Sequence, residues 1–241
     1  YFRASSVHTV NDQSSWLLLG KGSFYLHGIS VAIFMLVIFF AMYHHYYEYS
    51  YVFDHVSPDL PLKYILSAFW EGQEGSFMLW MFWHIVLGFI LIYNADQWQA
   101  PVMMVIALAE AILMTMILGI QIPFGEDAIR IGSNPTTLLR QINDAPIFAN
   151  ADYLSLIKGR GMNPLLQNYW MTIHPPTLFL GFASTIVPFA YAFAGLWTNQ
   201  HKEWLKPTLT WSLFSAGILG TGILMGSLWA YVALSFGGYW A

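Results

Sequence analysis

The 241-residue chain contains no cysteine and very few charges. Without cysteine there are no disulfides, no thiolate metal sites and no cysteine nucleophile. Charged residues make up only 9% of the sequence, against roughly 25% in a soluble domain, so a dissolved globule would lack polar surface. The net charge is −4 and no basic run occurs, which argues against nucleic acid as a partner. The start, Tyr1-Phe2-Arg3, carries no signal-peptide pattern. Internal repeats and low-complexity segments are also missing. Both ends read as cuts, because the chain opens without Met and stops at Gly238-Tyr239-Trp240-Ala241 directly after an apolar run. The expectation is a piece of a longer protein.

What the chain does have is apolar length. Hydrophobic residues make up 57% and aromatic residues 18%. Five stretches, at about 24–43, 76–93, 101–120, 176–197 and 209–232, are long enough to cross a hydrocarbon core of about 30 Å. The predicted fold class is therefore an all-α polytopic transmembrane protein, with residues 1–241 forming a single transmembrane domain in the lipid bilayer. The linkers 94–100 and 198–208 are short, which makes the helices they join antiparallel neighbours. Residues 61–73 read as a partly helical interfacial stretch. The long loop 121–173 holds turn signals at Ile122-Pro123, Gly132-Ser133-Asn134-Pro135 and Ala145-Pro146, with short surface helices at 136–142 and 152–157.

Charge in the short loops sets orientation. Arg3 and Lys21 precede the first span and Lys202 and Lys206 lie in the last linker, whereas the short segments of the opposite side hold only Lys63. This predicts a cytoplasmic start and places the 121–173 loop on the outer face. Tyr43, Tyr46, Tyr47, Tyr49 and Tyr51, with His44 and His45, form an aromatic belt at the outer end of the first span.

Several residues carry candidate chemistry. Ile173-His174-Pro175-Pro176 stands at the mouth of the fourth span. With the prolines read as the first helical residues, where no hydrogen bond is lost, His174 sits on a stiff pedestal. It is either a histidine hydrogen-bonding at a helix start or an axial ligand to haem iron. Tyr169 and Trp170 offer a wall for a flat porphyrin, and Arg140, Lys158 or Arg160 offer partners for its propionates. Glu71 and Glu74, in Trp70-Glu71-Gly72-Gln73-Glu74-Gly75-Ser76, read first as helix capping and secondarily as a proton or metal site. His27, His84 and Glu110 lie within spans, where an ionisable residue is a functional candidate or a hydrogen-bonding one. Gly222 and Gly226 form a small-xxx-small face for close helix packing.

Four motifs together resemble the CcmF/CcsA family of cytochrome c maturation. Trp70–Ser76 is similar to that family's Trp-Gly-x-His-Glu-Gly-Ser. The stretch from Asn163-Pro164-Leu165-Leu166-Gln167 to His174-Pro175-Pro176 is similar to its Asn-Pro-Leu-Leu-Gln…His-Pro-Pro. Gly226-Ser227-Leu228-Trp229-Ala230-Tyr231 resembles Gly-Ser-Trp-Trp-Ala-Tyr, and Gly237-Gly238-Tyr239-Trp240 resembles the opening of a tryptophan-rich haem-binding signature. The likeness is collinear over about residues 40–241.

The resemblance implies a protein that binds haem at the outer face and presents it for covalent attachment to apocytochrome c. That makes it part of a haem lyase working with other maturation subunits, in a bacterial inner membrane or an organellar one, with His174 facing the periplasm in the bacterial case. It implies His174 as one axial ligand to haem iron, and Trp170, Gly237, Gly238, Tyr239 and Trp240 as haem contacts. Asn163, Pro164, Pro175, Pro176 and Glu74 shape the site. The second outer ligand would lie beyond Ala241. Gln73 stands where the family has histidine and Glu71 where it has a small residue, so no histidine role passes to position 73. Two alternatives stay open: a transporter of haem or another solute, and a b-type haem electron carrier using His27 and His84.

Overall fold

A computed structural model describes residues 1–6, 10–124, 127–142 and 144–233. Helices α1 (Phe2–Ser6), α2 (Val10–Tyr43), α3 (Ser50–His55), α4 (Leu62–Ala68), α5 (Gln73–Asn94) and α6 (Gln99–Leu118) come first. A hairpin of β1 (Ile120–Phe124) and β2 (Asp127–Ile131) follows, then α7 (Leu139–Ile142), α8 (Tyr153–Leu156), α9 (Tyr169–Trp197) and α10 (Leu205–Ala233). Among the described residues five helices are long and apolar enough to cross a membrane: Gln13–Tyr43, Gln73–Asn94, Asp96–Leu118, Tyr169–Trp197 and Leu205–Ala233. The protein is all-α and polytopic, as its composition requires.

Several of the expected boundaries move. The first span begins well before residue 24, because α2 runs for 34 residues, roughly 51 Å at 1.5 Å per residue. Hydropathy marks the lipid-facing part of a helix, while the backbone ladder continues through polar residues such as Lys21. The second change concerns the long loop, whose start is an antiparallel hairpin pairing Ile120 with Ile131 and Ile122 with Ile129. Gly119, at φ 65°, ends α6 and turns the chain into β1. Pro123 reads as a turn signal in sequence, yet it is admitted in a two-stranded ribbon, where each strand is an edge. The surface helices α7 and α8 fall inside the predicted 136–142 and 152–157, and α4 inside 61–73.

The chain forms two compact units, one of Tyr1–Ala32, Trp80–Met114 and Pro176–Leu224, the other of Ile33–Leu79, Thr115–Pro175 and Met225–Ala241. In the first, Phe24 of α2, Leu87 and Leu91 of α5, Val102 and Ile106 of α6, and Val187 and Tyr191 of α9 make one buried cluster. Here α9 and α10 run closely together: a Cβ on Gly222 would lie 2.8 Å from the Leu178 Cα, and one on Gly181 2.7 Å from the Leu219 Cα. Small residues allow that approach, the packing role expected of Gly222. In the second unit the loop after α8 docks on α3. The Arg160 backbone N–H donates to the Phe53 carbonyl at 2.7 Å, and the Arg160 guanidinium pairs with Asp54 at 2.8 Å.

Candidate functional site

Of the motif residues within the described chain, Trp70–Ser76, Asn163–Pro175 and Gly226–Tyr231 lie in the second unit, and Pro176 opens the last segment of the first. Helix α9 begins at Tyr169, so Pro175 and Pro176 are interior helical residues and not its first ones. The expected pedestal is thus corrected: the helix starts earlier because Asn168 organises its first turn. Asn168 Oδ1 accepts from the Trp170 N–H at 3.1 Å, and its carbonyl accepts from the Met171 N–H, also at 3.1 Å. Interior prolines then cost ladder bonds, since Pro175 and Pro176 leave the carbonyls of Met171 and Thr172 without their i+4 donors. The Met171 carbonyl has another donor. The Trp70 indole Nε1–H reaches it at 2.8 Å across 101 residues of sequence.

Trp70 stands on a turn built for close approach. Tyr51, fully buried, donates from its hydroxyl to the Phe69 carbonyl at 2.6 Å and accepts from the Gly75 N–H at 3.1 Å. A Cβ at Gly75 would collide with the Phe69 carbonyl oxygen, so only glycine fits there. Ser76 Oγ donates to the Trp70 carbonyl at 2.9 Å. Burial holds the Tyr51 phenol protonated far above its ordinary range, with nearby Glu74 adding to the effect. Glu74 lies in the first turn of α5, where an acid complements the helix dipole.

Glu71 joins this turn to the Asn-Pro-Leu-Leu-Gln loop, its Oε1 accepting from the Asn163 N–H at 3.3 Å. Its other oxygen is buried with no partner among the described residues. Burial pushes its carboxyl above the ordinary range, opposed by the Asn163 N–H and by His55. Asn163 Oδ1 caps the following turn by accepting from the Leu165 N–H at 3.0 Å, with Pro164 at the turn's first position. Both residues shape the loop that runs into α9.

The His174 imidazole is half-buried against α10. A Cβ on Gly226 would come within 2.7 Å of its Cε1 and 3.2 Å of its Nε2, so the missing side chain is the seat of the ring. Trp229 meets the imidazole edge-on with centroids 5.8 Å apart. Trp229 is itself buried, and its Nε1 has no acceptor among the described residues. Trp170, one turn before His174 on the same helical face, packs its ring on Tyr169 at 6.1 Å. Of the cations proposed for propionates, Arg160 is already paired with Asp54, while Arg140 and Lys158 are exposed. Gly237, Gly238, Tyr239 and Trp240 lie outside the described residues.

Sequence reasoning assigned Gly226 to packing alone and gave Trp229 no role beyond its motif. The signal was present: a helix hairpin turning near Gln200 sets residue 174 opposite residue 226. A second constellation, in the first unit, was not foreseen as a group. Glu110, 2% exposed, accepts from His27 Nε2 at 2.7 Å on one oxygen and from His84 Nδ1 at 3.1 Å on the other. Three helices thus contribute one polar bridge. Among the described residues no cluster of His, Cys, Asp and Glu is arranged to hold a metal ion.

Comparison with known proteins points one way. The family described as "Cytochrome C assembly protein" matches residues 70–241. The cytochrome c-type biogenesis protein CcmF of Haemophilus influenzae is 30% identical over 214 residues, covering 88% of this chain and 30% of that protein. CcmF of Escherichia coli is 30% identical over 213 residues, again 88% of this chain and 30% of the relative. CycK of Bradyrhizobium diazoefficiens is 29% identical over 185 residues, 75% of this chain and 24% of its own length. The chain therefore spans less than a third of each of these relatives. No solved structure matches it.

Proposed function

The chain belongs to the cytochrome C assembly protein family, and from that premise we propose that it binds haem at the mouth of α9 and presents it for covalent attachment to apocytochrome c. It is an integral membrane protein of cytochrome c biogenesis. The reading puts it in a bacterial inner membrane with His174 toward the periplasm, alongside other maturation subunits.

The observation that carries this reading is the setting of His174. A neutral imidazole is a good iron ligand, and this one is half-buried, seated on a glycine and walled by an indole edge. The residues present fit a flat apolar cofactor with polar edges. Gly226 seats the imidazole, Trp170 adds an aromatic face one turn away, and the buried Trp229 Nε1–H is a donor with no acceptor among the described residues. His174 would hold the iron, and Trp170 and Gly237–Trp240 would contact the macrocycle. Asn163, Pro164, Pro175, Pro176 and Glu74 would shape the surrounding backbone. Bound haem brings the vinyl groups that accept cytochrome thiols. The chain's own contribution is orientation: a fixed imidazole and aromatic walls hold the reactive edge in one pose, which turns a bimolecular encounter into a positioned one.

Transport of haem or another solute is the second reading, and the His27–Glu110–His84 bridge is the observation in its favour. Use of His27 and His84 as an axial pair is disfavoured, since each already serves the same carboxylate. The test is the haem absorbance of the intact protein in membranes, with His174→Gly against the unaltered chain. Loss of haem together with loss of cytochrome c maturation is expected. Haem retained with maturation intact would overturn the proposal, and haem retained with maturation lost would move the ligand elsewhere.

A further inference from the structure

We propose that Trp70 is a positioning residue for His174, acting through the carbonyl that Pro175 withdraws from the helix ladder. The functional part of this inference rests on the haem reading above. Two consecutive prolines remove two ladder bonds from the turn that carries His174, and a helix opened in this way can kink or twist. The imidazole is aimed by whatever else holds that turn. On the N-terminal side Asn168 fastens the first residues of α9. On the proline side the Met171 carbonyl is held by the Trp70 indole N–H at 2.8 Å.

Tryptophan suits this task because its indole is a pure donor on a large apolar body. Phenylalanine would fill most of the space and leave a carbonyl unsatisfied. Trp70 is itself immobilised by the Tyr51 bonds to Phe69 and Gly75 and by the Ser76 hydroxyl. The Trp70–Ser76 motif and the His-Pro-Pro motif are therefore two halves of one hydrogen bond. One supplies the donor, and the other exposes the acceptor by means of Pro175.

This linkage has a specific genetic signature. Pro175→Ala returns a backbone N–H at position 175, which can bond the Met171 carbonyl within the helix and make the indole donor dispensable. The experiment compares Trp70→Phe, Pro175→Ala and the double variant in the intact protein in membranes. Two readouts are taken: hydrogen–deuterium exchange of the amides of residues 172–174, and haem retention.

Trp70→Phe should speed exchange of that turn about five-fold, the factor one ordinary hydrogen bond is worth, and should lower haem retention. In the Pro175→Ala background the same change should alter neither. If Trp70→Phe prevents accumulation of the protein, yield replaces exchange as the quantity compared between the two backgrounds. Equal damage in both backgrounds, or unchanged exchange in Trp70→Phe, overturns the proposal. Exchange needs no haem, so a failed haem assignment leaves this result readable: a background-dependent change in exchange with haem unaffected would count against the haem reading alone.

Discussion

Replacing Gly226 by alanine should weaken haem binding while leaving the helix pair almost as stable as before. The new Cβ would lie 2.7 Å from His174 Cε1, 3.2 Å from Nε2 and 3.4 Å from Nδ1. Contacts this short force something to move, and the imidazole, at the end of two rotatable bonds, moves most cheaply. A displacement of about 30° from a rotamer costs about 0.5–1.5 kcal/mol. Alanine in place of glycine returns up to about 1 kcal/mol of helix propensity, so the net change in stability is near zero. The strain reappears when iron demands the original ring position, and about 1 kcal/mol is about five-fold in haem affinity.

Gly222→Ala is the informative contrast. There the clash is with the Leu178 Cα at 2.8 Å and its backbone N at 3.1 Å, so the helices must separate at about 1–3 kcal/mol. Gly217→Ala and Gly220→Ala meet nothing within 4 Å and serve as clash-free controls that show the propensity gain alone. The assay pairs thermal unfolding in detergent with haem titration of the intact protein for all four variants. Only Gly222→Ala should lose stability, and only Gly226→Ala should lose haem affinity. If Gly226→Ala binds haem like the unaltered protein, the seat assigned to His174 is wrong.

Two further outcomes follow from the buried polar groups. Glu110→Ala would strip the acceptor from His84, which is 3% exposed, at about 1–3 kcal/mol for one unsatisfied group. Glu110→Gln keeps one acceptor oxygen and should lose less, a ranking that thermal unfolding in detergent checks. The Glu71 carboxyl, raised by burial, takes up its proton at higher pH in the folded chain than in the unfolded one. Its contribution to stability is therefore full below the unfolded carboxylate range and is lost as pH rises through the folded value. Glu71→Gln should flatten that decline and gain stability at neutral pH, visible in unfolding midpoints measured across the acidic range.

Composition and hydropathy dictate the solvent and the elements. Scarce charge and five apolar runs require helices in a bilayer, since a backbone in hydrocarbon must satisfy its own hydrogen bonds. The collinear motifs also led to the family, because their residues can be read without knowing the fold. Helix ends were less legible: α2 continues through polar residues ahead of its most apolar stretch, and α9 starts at Tyr169 because of Asn168 rather than at the prolines. Tertiary structure alone decided which side chains meet. A helix without an amphipathic stripe, as α2 is, does not say which face turns inward, so the pairing of His27 and His84 with Glu110 was invisible in periodicity. The same holds for Trp70 on the Met171 carbonyl and for His174 on Gly226, contacts that span 101 residues and a helix hairpin. Hydropathy fixes depth in the membrane, while packing fixes rotation about the helix axis, and the chemistry of this site depends on rotation.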